Sequence, residues 1–211
     1  MTTTKKIIVR LACATVLGTA GVALTQVNIP QTAVVNAATT SVAARALGVD
    51  VASYQNADLS SHAQAGAQFA IVKVSEGTSY RNPKASSQIS TALSNNMMPM
   101  AYHFATFSSN ASAAAAEANY AVQAAQAFGL PKGSYIACDY ETGSGNNIYG
   151  GKTPTANAII AFMDTIKNAG YKPLLYASSS VLQNNIDTNS VIAKYPNSLL
   201  SLIHISEPTR P

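Results

Sequence analysis

Two carboxylates stand one residue apart in the stretch YIACDYETGSG, residues 135–145, of a chain with only nine acidic residues in 211. Four residues, Tyr135 to Cys138, lead as an apolar run into Asp139 and Glu141, and the chain then turns to Gly, Ser and Asn. Residues i and i+2 of a strand point to the same face, with Cα atoms roughly 6.5–7 Å apart. Asp139 and Glu141 are therefore expected to face one space. Two carboxylates at that range resist joint ionisation, so one can keep a proton near neutral pH. A carboxylic acid beside a carboxylate is the equipment for breaking a glycosidic bond. One donates a proton to the leaving oxygen, and the other steadies the positive charge that develops at the sugar carbon. On spacing alone two other readings stand beside this one. An Asp-x-Glu pair can be a solvated strand end, and carboxylates also gather around Mg²⁺ or Ca²⁺, for which Asp50 and Glu76 are the further ligands on offer.

The elements that must hold the pair follow a rhythm from residue 46 onward. ALGVDVA, AQFAIVKVS, MPMAYHFA, SYIACDYE and KPLLYAS read as five strands, and NPKASSQISTALSNNM between two of them has helical spacing. Asn110 caps an Ala-rich helix that Gly129 and Pro131 end. Thr153 and Pro154 open another as N-cap and first-turn proline, with Ile159, Ile160, Met163 and Ile166 on its apolar stripe and Gly170 at its end. Strands alternating with helices imply right-handed βαβ units and a parallel sheet. Asp50, Lys73 with Glu76, Tyr102 with His103, Asp139 with Glu141, and Tyr176 all fall at or near C-terminal strand ends. A TIM-like barrel collects its site residues there, whereas an open sheet concentrates them at one switch point. No GxGxxG or P-loop pattern follows the first strand, which disfavours nucleotide binding.

Composition narrows the partners. The formal charge is +4, but Lys5, Lys6 and Arg10 precede residue 38 and no acid does. Without that segment ten basic and nine acidic residues remain, and no cluster of Lys and Arg marks a nucleic-acid footprint. Residues 1–37 read as a secretory signal: KKIIVR is the basic start, LACATVLGTAGVALTQV the apolar stretch, and VVNAA a small-residue cleavage site after Ala37. A membrane anchor is the rival reading of that stretch. Cleavage leaves a secreted chain, extracellular or wall-associated, with no membrane contact, and Cys138 as its one cysteine, which reads as a buried apolar residue inside a strand rather than a catalytic thiol. Such a chain has no intramolecular disulfide and must rest on its core. Residues 38–45 read as a short linker.

Four motifs in register carry the identification further: GVDVASYQ (48–55), VKVSEGTSYRNP (72–83), AYHFA (101–105) and CDYE (138–141). Together they resemble glycoside hydrolase family 25, lysozymes that cut peptidoglycan between N-acetylmuramic acid and N-acetylglucosamine. The resemblance covers about residues 46–199. It implies an α/β fold, an irregular TIM-like (β/α) barrel of eight strands. It implies Glu141 as general acid, Asp139 as the carboxylate that orients the substrate's 2-acetamido group or stabilises the oxocarbenium-like charge, and Asp50 as an acid on the floor of the site. Tyr102 matches a tyrosine lining the −1 sugar subsite. Glu76 matches the acid of an EG turn, with an ion pair to Lys73 as the alternative role. His103 is expected on the opposite strand face, packed or hydrogen-bonded. Tyr54, Tyr80 and Tyr176 are candidates to stack on sugar rings, or else packing residues of the barrel rim. No cofactor or metal is implied, the partner is bacterial peptidoglycan, and the chain is expected to be a monomer. The alternative function is a non-catalytic glycan-binding module on the same fold.

The sequence also departs from that family. Tryptophan is absent, and LSLIHISEPTRP at the end resembles no family element. It resembles the conceptual translation of a sequencing adapter. Residues 200–211 are therefore expected to be a non-native tail on a truncated catalytic domain (46–199), giving an incomplete barrel of about five or six parallel strands, with an inactive fragment as a further alternative. LSLIHI is apolar enough to add to an open sheet edge as a further strand.

Overall fold

The computed structural model describes residues 41–201; the expected leader, the start of the linker and residues 202–211 lie outside the described residues. Six strands run parallel in spatial order: β1 (Gly48–Val51), β2 (Phe69–Glu76), β4 (Met98–Phe104), β5 (Tyr135–Asp139), β6 (Lys172–Tyr176) and β7 (Leu199–Leu200). A two-residue strand, β3 (Tyr80–Arg81), pairs antiparallel with the end of β2. The helices are α1 (Ser60–Gln64), α2 (Ala85–Ser94), α3 (Ala111–Ala127), α4 (Lys152–Asn168), α5 (Ser179–Asn184) and α6 (Thr188–Lys194). Among the described residues no helix is long and apolar enough to cross a membrane.

Alternation along the strands makes two faces. In β2, Ala70, Val72 and Val74 are fully buried in the hydrophobic core, while Phe69, Ile71 and Lys73 line a hollow on the other side. The Ala-rich composition of α3 has a packing reason. Ala114, Ala118, Ala121 and Ala125 recur at helical spacing and are fully buried, so α4 can approach with Ile159, Phe162, Met163 and Ile166. Asn110 caps α3 as expected, its side chain accepting from the Ala113 N–H at 3.0 Å.

The sheet curls. Gly48, Val49 and Asp50 on one edge and Leu200 on the other line the same hollow, so the six parallel strands form part of a barrel wall. The fold is an incomplete TIM-like α/β barrel, open between β1 and β7 among the described residues. The curl brings the Phe69 ring over Gly48, where a Cβ would sit 2.2 Å from the ring. Only glycine leaves that space.

Two details differ from the expectation, and a third follows it. The second long helix starts two residues earlier, at Lys152, with Gly151 as its N-cap at φ +95° in place of Thr153. Pro154 still falls in the first turn, where its missing N–H leaves no bond unmade. Two short helices, α5 and α6, fill residues 179–194, each too short to show a full apolar period. Their signals are the caps: Ser178 accepts from the Val181 N–H and Asp187 from the Ser190 N–H, both at 3.3 Å. A sixth parallel strand, β7, forms on β6 where LSLIHI begins.

Candidate active site

Asp139 and Glu141 reach the hollow because the residue between them does not. Tyr140 points the other way, is fully buried, and donates its phenol O–H to the Ser108 carbonyl at 2.9 Å. Its N–H is fixed to the Tyr176 carbonyl at 2.8 Å, which extends the β5–β6 ladder past the strand end. An apolar anchor thus holds the two acids on one face, as the i, i+2 spacing requires.

The hollow is a cavity of about 640 Å³ at the C-terminal ends of the strands. Asp50 enters from β1, Lys73 from β2, Tyr102 and Phe104 from β4, Asp139 and Glu141 from β5, and Tyr176 from β6. Tyr54 also lines it, but at 92% exposure it stands on the rim. Glu76 does not line the cavity. It stands beside it and binds Lys73, Nζ to Oε2 at 2.6 Å, so the structure shows the ion-pair alternative for this residue. Lys73 is further enclosed by the rings of Phe104 at 4.9 Å and Tyr80 at 5.4 Å. Tyr80 is thereby a packing partner of that cation.

Three carboxyls in one hollow with one cation, itself already paired, cannot all ionise freely. Asp139 is 8% exposed and its Oδ1 is buried without a hydrogen-bond partner. Burial first, then the charges of Glu141 and Asp50, push it from the ordinary 3.8 up to about 8. A protonated carboxyl at pH 7 is the outcome. Partial desolvation and then Glu141 also raise Asp50, with Lys73 opposing; its side chain stays open to water at the edge of the sheet, which screens the effect. Burial and nearby carboxylates hold the Tyr102 and Tyr176 phenols above their usual range, so both remain neutral hydrogen-bonding groups. The Tyr176 phenol and Glu141 line the same part of the cavity.

Other expectations resolve behind the sheet. His103 lies on the helix side, fully buried, with Ser75 Oγ at 2.8 Å from Nδ1 and Glu117 Oε2 at 2.9 Å from Nε2. Cys138 is fully buried inside β5, and burial holds its thiol well above the usual range. Among the described residues no group of three or more His, Cys, Asp or Glu is arranged to hold a metal ion.

Two contributors escaped the sequence reading. Asn146, in the Gly-rich loop after β5, donates from Nδ2 to the Glu141 carbonyl at 2.7 Å and accepts the Ser108 N–H on Oδ1 at 2.8 Å. It ties the backbone of Glu141 to the loop before α3. An Asn in a Gly/Ser/Asn stretch reads as loop composition, so its burial gave no signal. Glu117 was legible in principle, as the one acid of an Ala-rich helix.

Comparison with known proteins identifies the family. The sequence model of the glycosyl hydrolases family 25 matches residues 49–199. The lysozyme of Lactococcus phage mv1 is 40% identical over 150 residues, covering 70% of this chain and 73% of that protein. A Streptococcus phage B30 protein named D-alanyl-L-alanine endopeptidase is 38% identical over 155 residues, 72% of this chain but 32% of its own length. Among solved structures, the modular Cpl-1 endolysin complexed with a peptidoglycan analogue superposes with a TM-score of 0.61 at 31% identity, over 72% of this chain and 42% of that one. The chain thus spans most of one relative and less than half of the other two. With a family match over most of its length and a phage lysozyme at this identity, the chain belongs to the glycosyl hydrolases of family 25.

Proposed function

We propose that this chain carries the catalytic site of an exported N-acetylmuramidase, which cleaves the β-1,4 bond between N-acetylmuramic acid and N-acetylglucosamine in peptidoglycan. The observation that supports it most is the cavity in which Asp139, held protonated by burial, stands beside Glu141 and Asp50. Near neutral pH Asp139, the deeper group, holds a proton. An acetamido N–H of a bound sugar is a donor and favours the ionised form of Asp139, which passes its proton to Glu141. Glu141, half-buried beside the Tyr176 phenol, then protonates the leaving glycosidic oxygen as the C1–O bond breaks. The acetamido carbonyl oxygen closes on C1 from the opposite face, and water activated by Glu141 opens that ring, so the anomeric configuration is retained. Tyr102 lines the sugar subsite and Tyr54 and Tyr176 offer faces for sugar stacking.

The endopeptidase name of the phage B30 protein suggests no peptide chemistry here. Cys138 is buried on the far side of the sheet from the cavity.

Purified cell walls test the reading. Loss of turbidity with new reducing ends at N-acetylmuramic acid is expected. Wall binding without new reducing ends establishes the glycan-binding module instead. An NMR time course in which the inverted anomer appears first overturns the retaining mechanism. Export is checked by N-terminal sequencing of the secreted protein, which is expected to begin at Ala38.

A further inference from the structure

The ion pair between Lys73 and Glu76 requires an irregularity in β2. Residues i and i+3 of a regular strand lie on opposite faces. Here the ladder to β4 shifts register: Lys73 faces Tyr102, but Ser75 faces His103, so Val74 is an extra residue, a β-bulge. Val74 and Ser75 both turn to the buried helix side, and Glu76 returns to the side of Lys73. The bulge is held from two directions. Asn82, fully buried, takes up its free carbonyls, the side chain donating to the Lys73 carbonyl at 2.8 Å and the backbone N–H to the Val74 carbonyl at 3.2 Å. On the helix side Ser75 bonds His103, and His103 bonds Glu117 of α3. Glu117 also accepts the Thr106 N–H at 2.9 Å and the Thr106 hydroxyl at 2.6 Å. The Thr106 side chain lies against Gly77, the residue after Glu76. The chain from Ser75 to Thr106 therefore grips the bulge before and after Glu76.

We propose that Ser75, His103 and Glu117 form a positioning relay that locks this bulge and so holds Glu76 against Lys73, keeping that cation from Asp50 and Asp139. A neutral imidazole serves this role with one proton, accepting from the Ser75 hydroxyl at Nδ1 and donating from Nε2 to Glu117. Burial favours that neutral form. The consequence lies in the cavity. The charged and titratable groups close enough to Asp139 to act on it or be acted on by it are Asp50 from β1, Lys73 and Glu76 from β2, Tyr102 from β4, Glu141 and, on the opposite face, Cys138 from its own segment, and Tyr176 from β6. Lys73 alone among them favours the ionised carboxylate. Glu76 draws that charge away and adds its own, so the relay preserves the proton on Asp139. The relay is read from geometry alone; its bearing on catalysis rests on the muramidase reading.

The test measures Asp139 directly, by carboxyl ¹³C NMR titration of the full chain. Ser75→Val and Ser75→Thr have the same shape and differ by the hydroxyl. Ser75→Val is expected to lower the Asp139 midpoint by about one pH unit, the size of effect a released neighbouring cation has. Ser75→Thr is expected to keep the wild-type midpoint. Equal midpoints for the two variants overturn the relay. If Ser75→Val does not fold, Glu117→Gln weakens the same chain from its far end and must lower the midpoint likewise. Glu76→Gln, outside the core, must also lower it, and an unchanged midpoint there refutes the electrostatic half of the proposal. Activity is scored separately. A wild-type chain that is inactive on cell walls but shows these shifts removes the muramidase reading and leaves the relay standing; an active chain without them does the reverse.

Discussion

Glu141→Gln keeps the size and polarity of the side chain and removes the proton it would donate. General-acid catalysis contributes about 10²- to 10⁴-fold, so turnover of cell walls is expected to fall by that order while the circular dichroism spectrum and melting temperature stay near wild type. Retention of more than half the activity would sink the assignment. The pH profile follows from Asp139. Its value of about 8 marks the loss of the proton that Asp139 would pass on to the leaving oxygen, so kcat/KM is expected to decline through an alkaline limb near pH 8. A limb that stays flat to pH 9 contradicts this.

Two caps and clasps set positions at the scale of elements. Asn146 joins the Glu141 carbonyl to the Ser108 N–H, so Asn146→Ala loosens the loop that carries the acid. A fall in kcat of about tenfold with KM little changed is expected, since misplacement of a reacting group acts on the transition state more than on binding. The N-cap of α3 is remote from the chemistry. Asn110→Ala is expected to cost about 1 kcal/mol in urea denaturation and to leave activity per folded molecule unaltered. Comparing the two variants separates an element that positions the site from one that only supports the fold.

The whole molecule carries the thermodynamic cost of its site. Asp139 is raised in the folded state above its unfolded value of 3.8, so between about pH 4 and pH 8 the folded chain binds a proton that the unfolded chain has lost. Stability from this group is full below that window and declines as pH rises through it. Glu76 is shifted the other way, so its contribution is present at neutral pH and is lost only in acid, as pH falls through its lowered value. Asp139→Asn is expected to flatten the decline between pH 4 and 8 and to raise the melting temperature at pH 7, by roughly 2–4 °C for each 1 kcal/mol gained. A variant that melts in parallel with wild type at every pH refutes the assignment. The open sheet makes a second molecular-scale prediction. β7 is an edge among the described residues, and Leu199 on it is 37% exposed. Edge strands of this kind template association. The chain is expected to elute as a monomer when cool and to scatter light on heating, with Leu199→Lys raising the onset temperature.

Alternation of apolar runs and helical spacing determined the parallel α/β order, because periods of two and 3.6 are local properties of the chain. The pair Asp139 and Glu141 on one face, the inert Cys138 and the cap at Asn110 were legible for the same reason: each depends on neighbours within a few residues. The convergence of Asp50, Tyr102 and Tyr176 on that pair was legible from their places at C-terminal strand ends, where a barrel gathers its site residues. What the tertiary structure decided are contacts between segments far apart in sequence. The bulge in β2 returns Glu76 to the side of Lys73 where regular alternation would put it on the other, and nothing in VKVSEG distinguishes it from a regular strand until β4 and α3 supply His103 and Glu117. The clasp of Asn146 on Ser108 spans 38 residues of sequence. Above all, the proton on Asp139 depends on burial and on charges brought in from other strands, which no local pattern of residues can state.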